Sequence, residues 1–328
     1  MVERTREGAE TAGVTLSLVV PIFDEDDTID PFLQRAELVL ADLGETHEII
    51  FVDDGSRDGS LERLLAHRRR NPAIKIVSLS RNFGKDLAMT AGLDSALGEA
   101  VIIIDVDLQD PPELIPKLIA KWREGNDVVY AQRTSRGGDT ATKRLTASWF
   151  YRVHNNLANI NIPNDTGDFR LMDRRVVQAI GGLSERDRFM KGLFTWVGFR
   201  QTEVGYEREE RVAGNSKWDY WRLWNFALDG ITSFSTVPLR VWSYVGATIS
   251  ILAFAYALFL VILTLISGAD VPGYASLMVV VLLLGGINLL SLGIIGEYLG
   301  RTYMEVKNRP LYIVRERHGF DGPGPRDD

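Results

Sequence analysis

The chain has 328 residues, of which 45% are hydrophobic and 25% charged, with a net charge of -7 and no cysteine. This length accommodates one large domain and an appendage. The acidic balance argues against a nucleic-acid-binding protein, which normally carries a basic excess. The lack of cysteine excludes a thiolate zinc site, a disulfide framework and a catalytic thiol.

The first 14 residues are polar and contain no apolar core. A cleaved secretory signal requires such a core, so we predict that residues 1–14 form a disordered tail instead. Residues 15–212 follow as the predicted catalytic domain, and they carry most of the charge of the chain.

Apolar, β-branched runs of strand length alternate with helix-length segments in the first half of the chain. The runs are Leu16–Val20, Glu48–Val52, Ile74–Leu79, Val101–Ile104 and Val128–Ala131, and the segments between them include Ile29–Leu43, Leu61–Arg70, Asp86–Leu97 and Glu113–Trp122. Near-continuous apolar strands alternating with helices are typical of a mostly parallel sheet covered on both faces. We therefore predict a Rossmann-like α/β domain.

Each predicted strand is followed by polar side chains. In chain order these are Pro21, Asp24 and Glu25; Asp53, Asp54, Gly55 and Ser56; Arg81, Asn82 and Lys85; Asp105, Asp107 and Gln109; and Arg133. Ligands bind beyond the carboxyl ends of the strands in sheets of this kind. The sequence therefore predicts one charged crevice at that edge.

Neither common glycine-rich nucleotide motif is present. The first strand runs into PIFDED without a glycine cluster, and Gly84–Lys85 lacks both the earlier glycine and the following hydroxyl of a phosphate loop. Nucleotide binding would therefore depend on side chains and a metal ion. Asp105 and Asp107, with Gln109, offer the hard oxygen ligands that suit Mg²⁺ or Mn²⁺, although acidic pairs of this kind also solvate ordinary turns.

Residues 213–240 contain a cluster of aromatic side chains within Lys217–Phe234 (KWDYWRLWNFALDGITSF). Aromatic residues favour the membrane–water boundary, so we predict interfacial juxtamembrane helices here. An ordinary aromatic core helix is the alternative.

Residues 241–300 contain two uncharged runs, Ser243–Ser267 and Tyr274–Gly296. At about 1.5 Å per helical residue each run can cross a hydrocarbon core of roughly 30 Å, which predicts a two-helix transmembrane hairpin. Basic residues flank the hairpin, whereas its short connection has none, so we predict that the catalytic domain, both termini and the 301–328 tail are cytoplasmic. The glycine spacing at Gly296 and Gly300 favours close helix packing, within one chain or in a homo-oligomer.

Several motifs together resemble glycosyltransferase family 2, which has the GT-A fold. VVPIFDED resembles the VVPxYNE opening of that family, VDDGSRDGS its VDDGSxDGT, and DVDLQDPPE its DADLQDPPE. TGDFRLMDR, RFMKGLFTWVGF and RVAGNSKW resemble polyprenyl-phosphate sugar transferases more narrowly, among them bactoprenol glucosyltransferases and enzymes like dolichyl-phosphate mannose synthase. The resemblance spans roughly Leu16 to Leu311. Asp24 departs from it, since the family usually has Asn there.

The resemblance implies a role for each matching residue. The donor nucleotide would lie against Pro21, Glu25, Asp53, Asp54, Lys85 and Asp105. The metal ion would be held by Asp105, Asp107 and Gln109. The acceptor phosphate would contact Arg133, Arg170, Arg211, Ser216 and Lys217. Catalysis would involve Asp107, Arg133 and Asp168, with Asp168 as a base or as a group that orients Arg170 or the sugar hydroxyls.

The expected reaction is an inverting transfer of a sugar from a nucleotide donor to a polyprenyl phosphate at the cytoplasmic face of the membrane. UDP-glucose is the leading donor by resemblance, and GDP-mannose and UDP-N-acetylglucosamine stay open. A processive polysaccharide synthase is a poorer match, because the chain has only two predicted spans and no QxxRW motif. A non-catalytic membrane scaffold that keeps the fold is the rival from another class.

Overall fold

A computed structural model describes residues 14–134, 166–183, 185–186, 188–206, 237–267 and 273–320. The chain divides into two compact units. In the described residues, the first unit is an α/β domain that also includes the C-terminal segment from Pro310, and the second contains the two long apolar helices.

The α/β unit is built on one eight-stranded sheet. Its strands are β1 (Leu16–Ile22), β2 (His47–Asp53), β3 (Ile74–Leu79), β4 (Ala100–Ile103), β5 (Val128–Arg133), β6 (Thr166–Asp173), β7 (Gln201–Tyr206) and β8 (Val314–His318). They lie in the order β7-β5-β6-β4-β1-β2-β3-β8.

In the described residues of this unit, six helices connect or flank the strands. They are α1 (Asp26–Leu43), α2 (Ser60–Arg68), α3 (Lys85–Ser95), α4 (Ile115–Arg123, entered through a 3-10 turn at Pro112–Leu114), α5 (Arg174–Gly181) and α6 (Met190–Trp196). The second unit consists, in its described part, of α7 (Val237–Ser267) and α8 (Tyr274–Val306).

The parallel strands β3, β2, β1 and β4 form the centre of the sheet, as the apolar runs predicted. Consecutive residues along β1, such as Leu18, Val19 and Val20, are all at most 1% exposed, so both faces of the sheet are covered. On one face Phe32 of α1 packs edge-on against Phe51 of β2, with ring centroids 6.1 Å apart. Burying an aromatic side chain of this size contributes about 1.5–3 kcal/mol. The α/β class with a mostly parallel sheet is confirmed.

Three strands that we did not predict extend the parallel centre. β6 lies antiparallel between β4 and β5, and β7 pairs parallel with β5. β8 pairs antiparallel with β3 at the opposite edge of the sheet. The predicted tail at 301–328 therefore differs from the structure: α8 continues to Val306, and the chain then supplies a strand to the sheet of the first unit.

The long helices agree only in part with the two predicted spans. By length and composition, Val279–Val306 is apolar enough to cross a membrane, whereas the apolar segment found in the first helix, Tyr244–Leu260, is shorter. The predicted tail at 1–14, apart from its last residue, and nearly all of the predicted juxtamembrane helices lie outside the described residues.

Candidate active site

The turn after β1 is shaped by Asp24, which adopts a left-handed backbone with φ of 53°. Its backbone N–H donates to Ser56 Oγ at 3.0 Å, and its Oδ1 accepts from the backbone N–H of Arg57 at 2.8 Å. Asp and Asn are the side chains that best tolerate this backbone region and its local hydrogen bonds. The departure from the family's usual Asn therefore keeps the turn and adds a negative charge.

The paired carboxylates at the end of β2 organise two neighbouring loops. Asp53, which is fully buried, accepts from the backbone N–H of Ser56 and from Ser78 Oγ, both at 2.9 Å. Asp54 accepts from the backbone N–H groups of Phe83 and Gly84 at 2.7 and 2.9 Å. Burial raises the pKa of Asp54, and these two backbone donors oppose that rise.

Gly55 follows this pair because the chain has no room for a side chain there. Its φ is 73°, and a Cβ would lie 2.6 Å from the backbone carbon of Arg81. Only glycine accepts both the left-handed backbone and this close approach without strain. The VDDGS segment is therefore held tightly against the loop that leads into α3.

The lysine at the start of α3 joins two strands at the centre of the crevice. Lys85 Nζ lies 2.6 Å from a carboxylate oxygen of Asp105 and 2.6 Å from Asp168 Oδ2. The antiparallel register pairs Ile103 of β4 with Arg170 of β6, and its continuation brings Asp105 opposite Asp168. Three residues predicted from distant parts of the sequence thus meet in one ionic cluster, which we call the Lys85 cluster (Lys85, Asp105 and Asp168).

The protonation of the Lys85 cluster follows from its charges. Burial would raise the pKa of Asp168, but Lys85 and Lys191 outweigh burial and hold that pKa below its usual value. Burial would lower the pKa of Lys85, and Asp105 and Asp168 instead raise it. Asp168 is therefore a firmly ionised carboxylate, which makes it a weak proton acceptor.

The segment after β4 carries the predicted metal ligands. Asp107 Oδ1 accepts from the backbone N–H of Gln109 at 3.1 Å, across a left-handed Leu108 with φ of 59°. The side-chain oxygen Gln109 Oε1 is buried and has no hydrogen-bond partner. A buried acceptor without a donor is costly, and a cation at this position would satisfy it.

The oxygen donors of Asp105, Asp107 and Gln109 fit a hard divalent cation, although only two of the three side chains are carboxylates. No group of three acidic or histidine side chains that could hold a metal ion occurs among the described residues. An ion here would use two carboxylates and one amide oxygen, and substrate oxygens or water would complete the shell, as is usual for Mg²⁺.

A second buried polar group, which the sequence reasoning missed, surrounds Arg133. The register of β5 and β7 pairs Arg133 with Tyr206, and Arg133 Nε donates to the Tyr206 hydroxyl at 3.2 Å. The same hydroxyl donates to the buried Asp110. Burial raises the pKa of Asp110, and the Tyr206 hydrogen bond opposes that rise. No sequence pattern singled out Asp110 or Tyr206, because this contact depends on the pairing of β5 with β7.

Arg170, predicted to bind the acceptor phosphate, is only 4% exposed. Its guanidinium lies over the ring of Phe194 at 3.9 Å, and Nη2 donates to the carbonyl of Gly167 at 2.8 Å. Its Nε is buried without a hydrogen-bond partner. Burial lowers the pKa of Arg170 to about 10, so it stays charged at neutral pH.

Asp86, beside the Lys85 cluster, was also missed. It lines a cavity of about 200 Å³ with six neighbours: Phe83, Gly84, Lys85, Leu87, Arg186 and Arg188. Burial and the negative charge of Asp168 raise the pKa of Asp86 to about 7. The only sequence signal for it was its position next to Lys85.

The remaining predicted residues divide into two groups. Pro21 is buried in β1 opposite Val52, and the backbone N–H of Glu25 donates to Ser60 Oγ at 3.0 Å. Arg211, Ser216 and Lys217 lie outside the described residues. The structure thus brings Lys85, Asp105 and Asp168 into direct contact, while the proposed lipid-facing cations beyond β7 stay a prediction.

Comparison with known families decides the identity of this site. The model for glycosyl transferase family 2 matches residues 17–181, which contain β1 to β6 and every acidic residue discussed above. The chain belongs to glycosyltransferase family 2. A second model, the GtrB C-terminal hairpin, matches residues 237–302 in the same glycosyltransferase, which is the region of α7 and α8.

Curated relatives resemble this glycosyltransferase over nearly its whole length. An uncharacterized glycosyltransferase of Synechocystis sp. is 58% identical, with 94% of this chain and 97% of the relative covered. The SfII prophage-derived bactoprenol glucosyl transferase of Shigella flexneri is 49% identical over 92% of this chain and 98% of its own length. A prophage bactoprenol glucosyl transferase homolog of Escherichia coli is 48% identical with the same coverage.

Solved structures are more distant. A glucosyl-3-phosphoglycerate synthase from Mycobacterium tuberculosis, crystallised with Mn²⁺, UDP-glucose and phosphoglyceric acid, is 20% identical, with a TM-score of 0.45. The match covers 70% of this chain and 83% of that one. A likeness of this degree carries no information on the substrates of this glycosyltransferase.

Proposed function

We propose that this glycosyltransferase moves a sugar from a nucleotide donor onto a polyprenyl phosphate at the cytoplasmic face of a membrane, with glucose from UDP-glucose as the leading donor. The observation that carries the proposal is the identity of 48–49% to bactoprenol glucosyl transferases over 92% of the chain. That match includes both the α/β domain and the C-terminal hairpin region.

The Lys85 cluster and the loops around it suit a nucleotide-sugar. Asp105, Asp107 and Gln109 would hold Mg²⁺ or Mn²⁺, which when bound supplies positive charge that stabilises the departing nucleoside diphosphate. Lys85, which has a 43% exposed side chain, can then turn from Asp105 to the diphosphate oxygens. The Asp53–Asp54 loop would support the nucleoside.

The acceptor needs cations more than it needs a base. A phosphate ester has a second pKa of about 6, so its oxygen is already largely ionised at neutral pH. That oxygen attacks the anomeric carbon while the bond from this carbon to the nucleoside diphosphate breaks, and an α-linked donor gives a β-linked product. Because the pKa of Asp168 is held low, we assign it to orienting Lys85 and Arg170.

Arginine and lysine side chains would bring the two anions together. Arg133 is partly exposed in the described domain, whereas Arg170 is buried and would act on the phosphate through its charge, and Arg211, Ser216 and Lys217 follow β7 in sequence. Guanidinium groups bind phosphate oxygens in a bidentate manner, which also fixes the direction of attack.

The long helices support a membrane-embedded acceptor. Large apolar side chains of α7 and α8 are well exposed, among them Phe254 (76%), Leu265 (81%) and Leu289 (72%). A contiguous surface of this kind needs lipid or protein to cover it. We propose a two-span hairpin with the catalytic domain and both termini in the cytoplasm, as the basic flanking residues predict.

The test is transfer of label from nucleotide-sugars to polyprenyl phosphate by the full-length protein in detergent, with Mg²⁺ and with EDTA. Asp107→Ala should abolish transfer, and Asp127→Ala is the matched control, because Asp127 pairs with Arg175 at the opposite end of the sheet. Label in the lipid fraction that EDTA removes supports the proposal, and a panel of UDP-glucose, GDP-mannose and UDP-N-acetylglucosamine names the donor. No lipid product from any donor would leave a non-catalytic scaffold as the better explanation.

A further inference from the structure

The C-terminal strand lies outside both matched regions, yet it is part of the sheet. Those regions are 17–181 and 237–302, whereas β8 spans Val314–His318. β8 pairs with β3 from Ile76 opposite His318 to Leu79 opposite Val314. The backbone N–H of Ser80 donates to the carbonyl of Ile313 at 2.9 Å, which extends the pairing by one bond.

A hydroxyl contact anchors the same segment to α3. The Tyr312 hydroxyl donates to Asp94 Oδ2 at 2.9 Å, and Tyr312 is only 9% exposed. The segment from Tyr312 to His318 is therefore fixed to the domain through both backbone and side chain. The side chains of β8 that contact β3 are therefore held in place.

One side chain of β8 is linked by hydrogen bonds through a serine to the VDDGS turn. Arg315 Nη2 donates to Ser78 Oγ at 3.1 Å, and Ser78 Oγ donates to Asp53 Oδ2 at 2.9 Å. Asp53 Oδ1 in turn accepts from the backbone N–H of Ser56 at 2.9 Å. The path from the C-terminal strand to the VDDGS turn therefore consists of three consecutive hydrogen bonds.

The chemistry of the Ser78 hydroxyl fixes which atom donates and which accepts in each of these hydrogen bonds. A serine hydroxyl has one hydrogen and two lone pairs, so accepting from Arg315 leaves its single hydrogen for Asp53. Ser78 and Asp53 are both fully buried, which shields the hydrogen bond between them from competing water, whereas the Arg315 side chain is 48% exposed. Hydrogen bonds that involve charged groups are roughly twice as strong as neutral ones, and each of the three bonds in this path includes a guanidinium or a carboxylate group.

We propose that Arg315 is a positioning residue for the nucleotide donor, acting through Ser78 and Asp53 on the turn at 53–56. The proposal rests on the assignment of that turn to the donor in the proposed function. Without the guanidinium, the Ser78 hydroxyl keeps its hydrogen bond to Asp53 but loses the contact that fixes its oxygen, so Ser78 and the turn are held less firmly. The C-terminal strand thereby belongs to the donor site although it touches no substrate.

The test compares Arg315→Ala with Arg317→Ala in the full-length protein. Arg317 lies two residues further along β8, opposite Val77, and its guanidinium lies 5.8 Å from the centre of the Phe320 ring. Binding of UDP, and of GDP in parallel, is measured by calorimetry with Mg²⁺ present. Arg315→Ala should weaken the nucleotide that binds by about 10-fold, and Arg317→Ala should stay within twofold of wild type.

Kinetic measurements separate positioning from a loss of structure. Arg315→Ala should raise the KM for the donor and leave the KM for polyprenyl phosphate unchanged, and Arg315→Lys should restore part of the affinity. If Arg315→Ala folds poorly, the same binding and kinetic measurements on Ser78→Ala test the path instead. The double variant should bind no more weakly than Ser78→Ala alone, because both changes break one path.

The outcomes distinguish this inference from the function on which it rests. If wild type binds neither nucleotide, the proposed function and this inference both fall. If wild type binds a nucleotide while Arg315→Ala and Ser78→Ala bind it equally well, only the positioning role is overturned. If Arg317→Ala weakens nucleotide binding as much as Arg315→Ala does, the positioning role is also overturned, because the effect would then come from the positive charge of β8 in general.

Discussion

The two ends of the central sheet each carry an ionic cluster, and the clusters differ in the kind of partner that holds them. At the amino end, Glu48 is 1% exposed, accepts from Ser17 Oγ and from the backbone N–H of Leu97 at 2.7 Å, and pairs with Lys75 at 2.6 Å. At the carboxyl end, Asp105 and Asp168 meet the ammonium of Lys85, and their side chains are 30% and 14% exposed.

The difference separates a structural cluster from a functional one. The backbone N–H that Glu48 binds cannot move away without breaking the fold, and its lysine partner, Lys75, has a side chain only 15% exposed, so that cluster is permanent. A long lysine side chain can turn away from Asp105, so a ligand can replace it there. Burial and charge alone therefore do not distinguish the active site from a structural ion pair. What distinguishes it is that a ligand can replace the lysine partner of Asp105.

The largest expected effect is on catalysis, from Asp105→Asn. It removes a proposed metal ligand and one of the two carboxylates that hold Lys85, so we expect the rate of lipid glycosylation to fall about 100- to 1,000-fold, as losses of key electrostatic groups do. The melting temperature should change little, because the side chain is partly exposed. Initial rates at saturating donor check this. A variant that loses stability instead would place Asp105 with the structural cluster.

The converse effect is expected from Lys75→Met. Glu48 would be left as a buried carboxylate without its cation, which typically costs about 3–5 kcal/mol of unfolding free energy. The melting temperature of the catalytic domain should fall markedly, while the activity per folded molecule stays near wild type. Lys121→Met is the control, because its pair with Glu124 is exposed and worth at most about 1 kcal/mol. An active-site role for Lys75 would appear as lost activity without lost stability.

The apolar runs predicted β1 to β5 because strands at the centre of a parallel sheet are buried on both faces. β8 escaped prediction because VRERH is a polar edge strand without an apolar pattern. β6 places Asp168 and Arg170 two residues apart on one face, and only the family resemblance singled them out beforehand. The contacts of Asp110, Tyr206 and Arg315 depend on pairing between strands far apart in sequence, which no local pattern reports.

A smaller effect is expected from Tyr206→Phe. Arg133 Nε and Asp110 would both lose the hydroxyl that joins them, so the guanidinium would no longer be held in one position. We expect the KM for polyprenyl phosphate to rise about 10-fold, equivalent to about 1.4 kcal/mol. Tyr130→Phe is the matched control on the same strand as Arg133, since its hydroxyl meets only the exposed Glu203, at 3.4 Å, among its hydrogen-bond partners in the described residues. Equal effects of both variants would contradict the role of the Tyr206 hydroxyl.

The smallest effect is expected for the pH dependence of stability, through Asp86. Its pKa is about 7 in the folded domain and 3.8 when unperturbed, so its contribution to stability is fully present below pH 4 and is lost as the pH rises through 7. Asp86→Asn removes this dependence. The melting temperature of wild type minus that of the variant should therefore decrease between pH 5 and pH 8.

The size of this decrease is limited by the surroundings of Asp86. The side chain lines an open cavity and lies near Lys85 and Lys191, so solvent and these cations reduce the cost of its negative charge. We expect a change of about 1 kcal/mol, or roughly 2–4 °C, which scanning calorimetry of matched samples can resolve. A difference that stays constant across this range would contradict a pKa of about 7 for Asp86 in the folded domain.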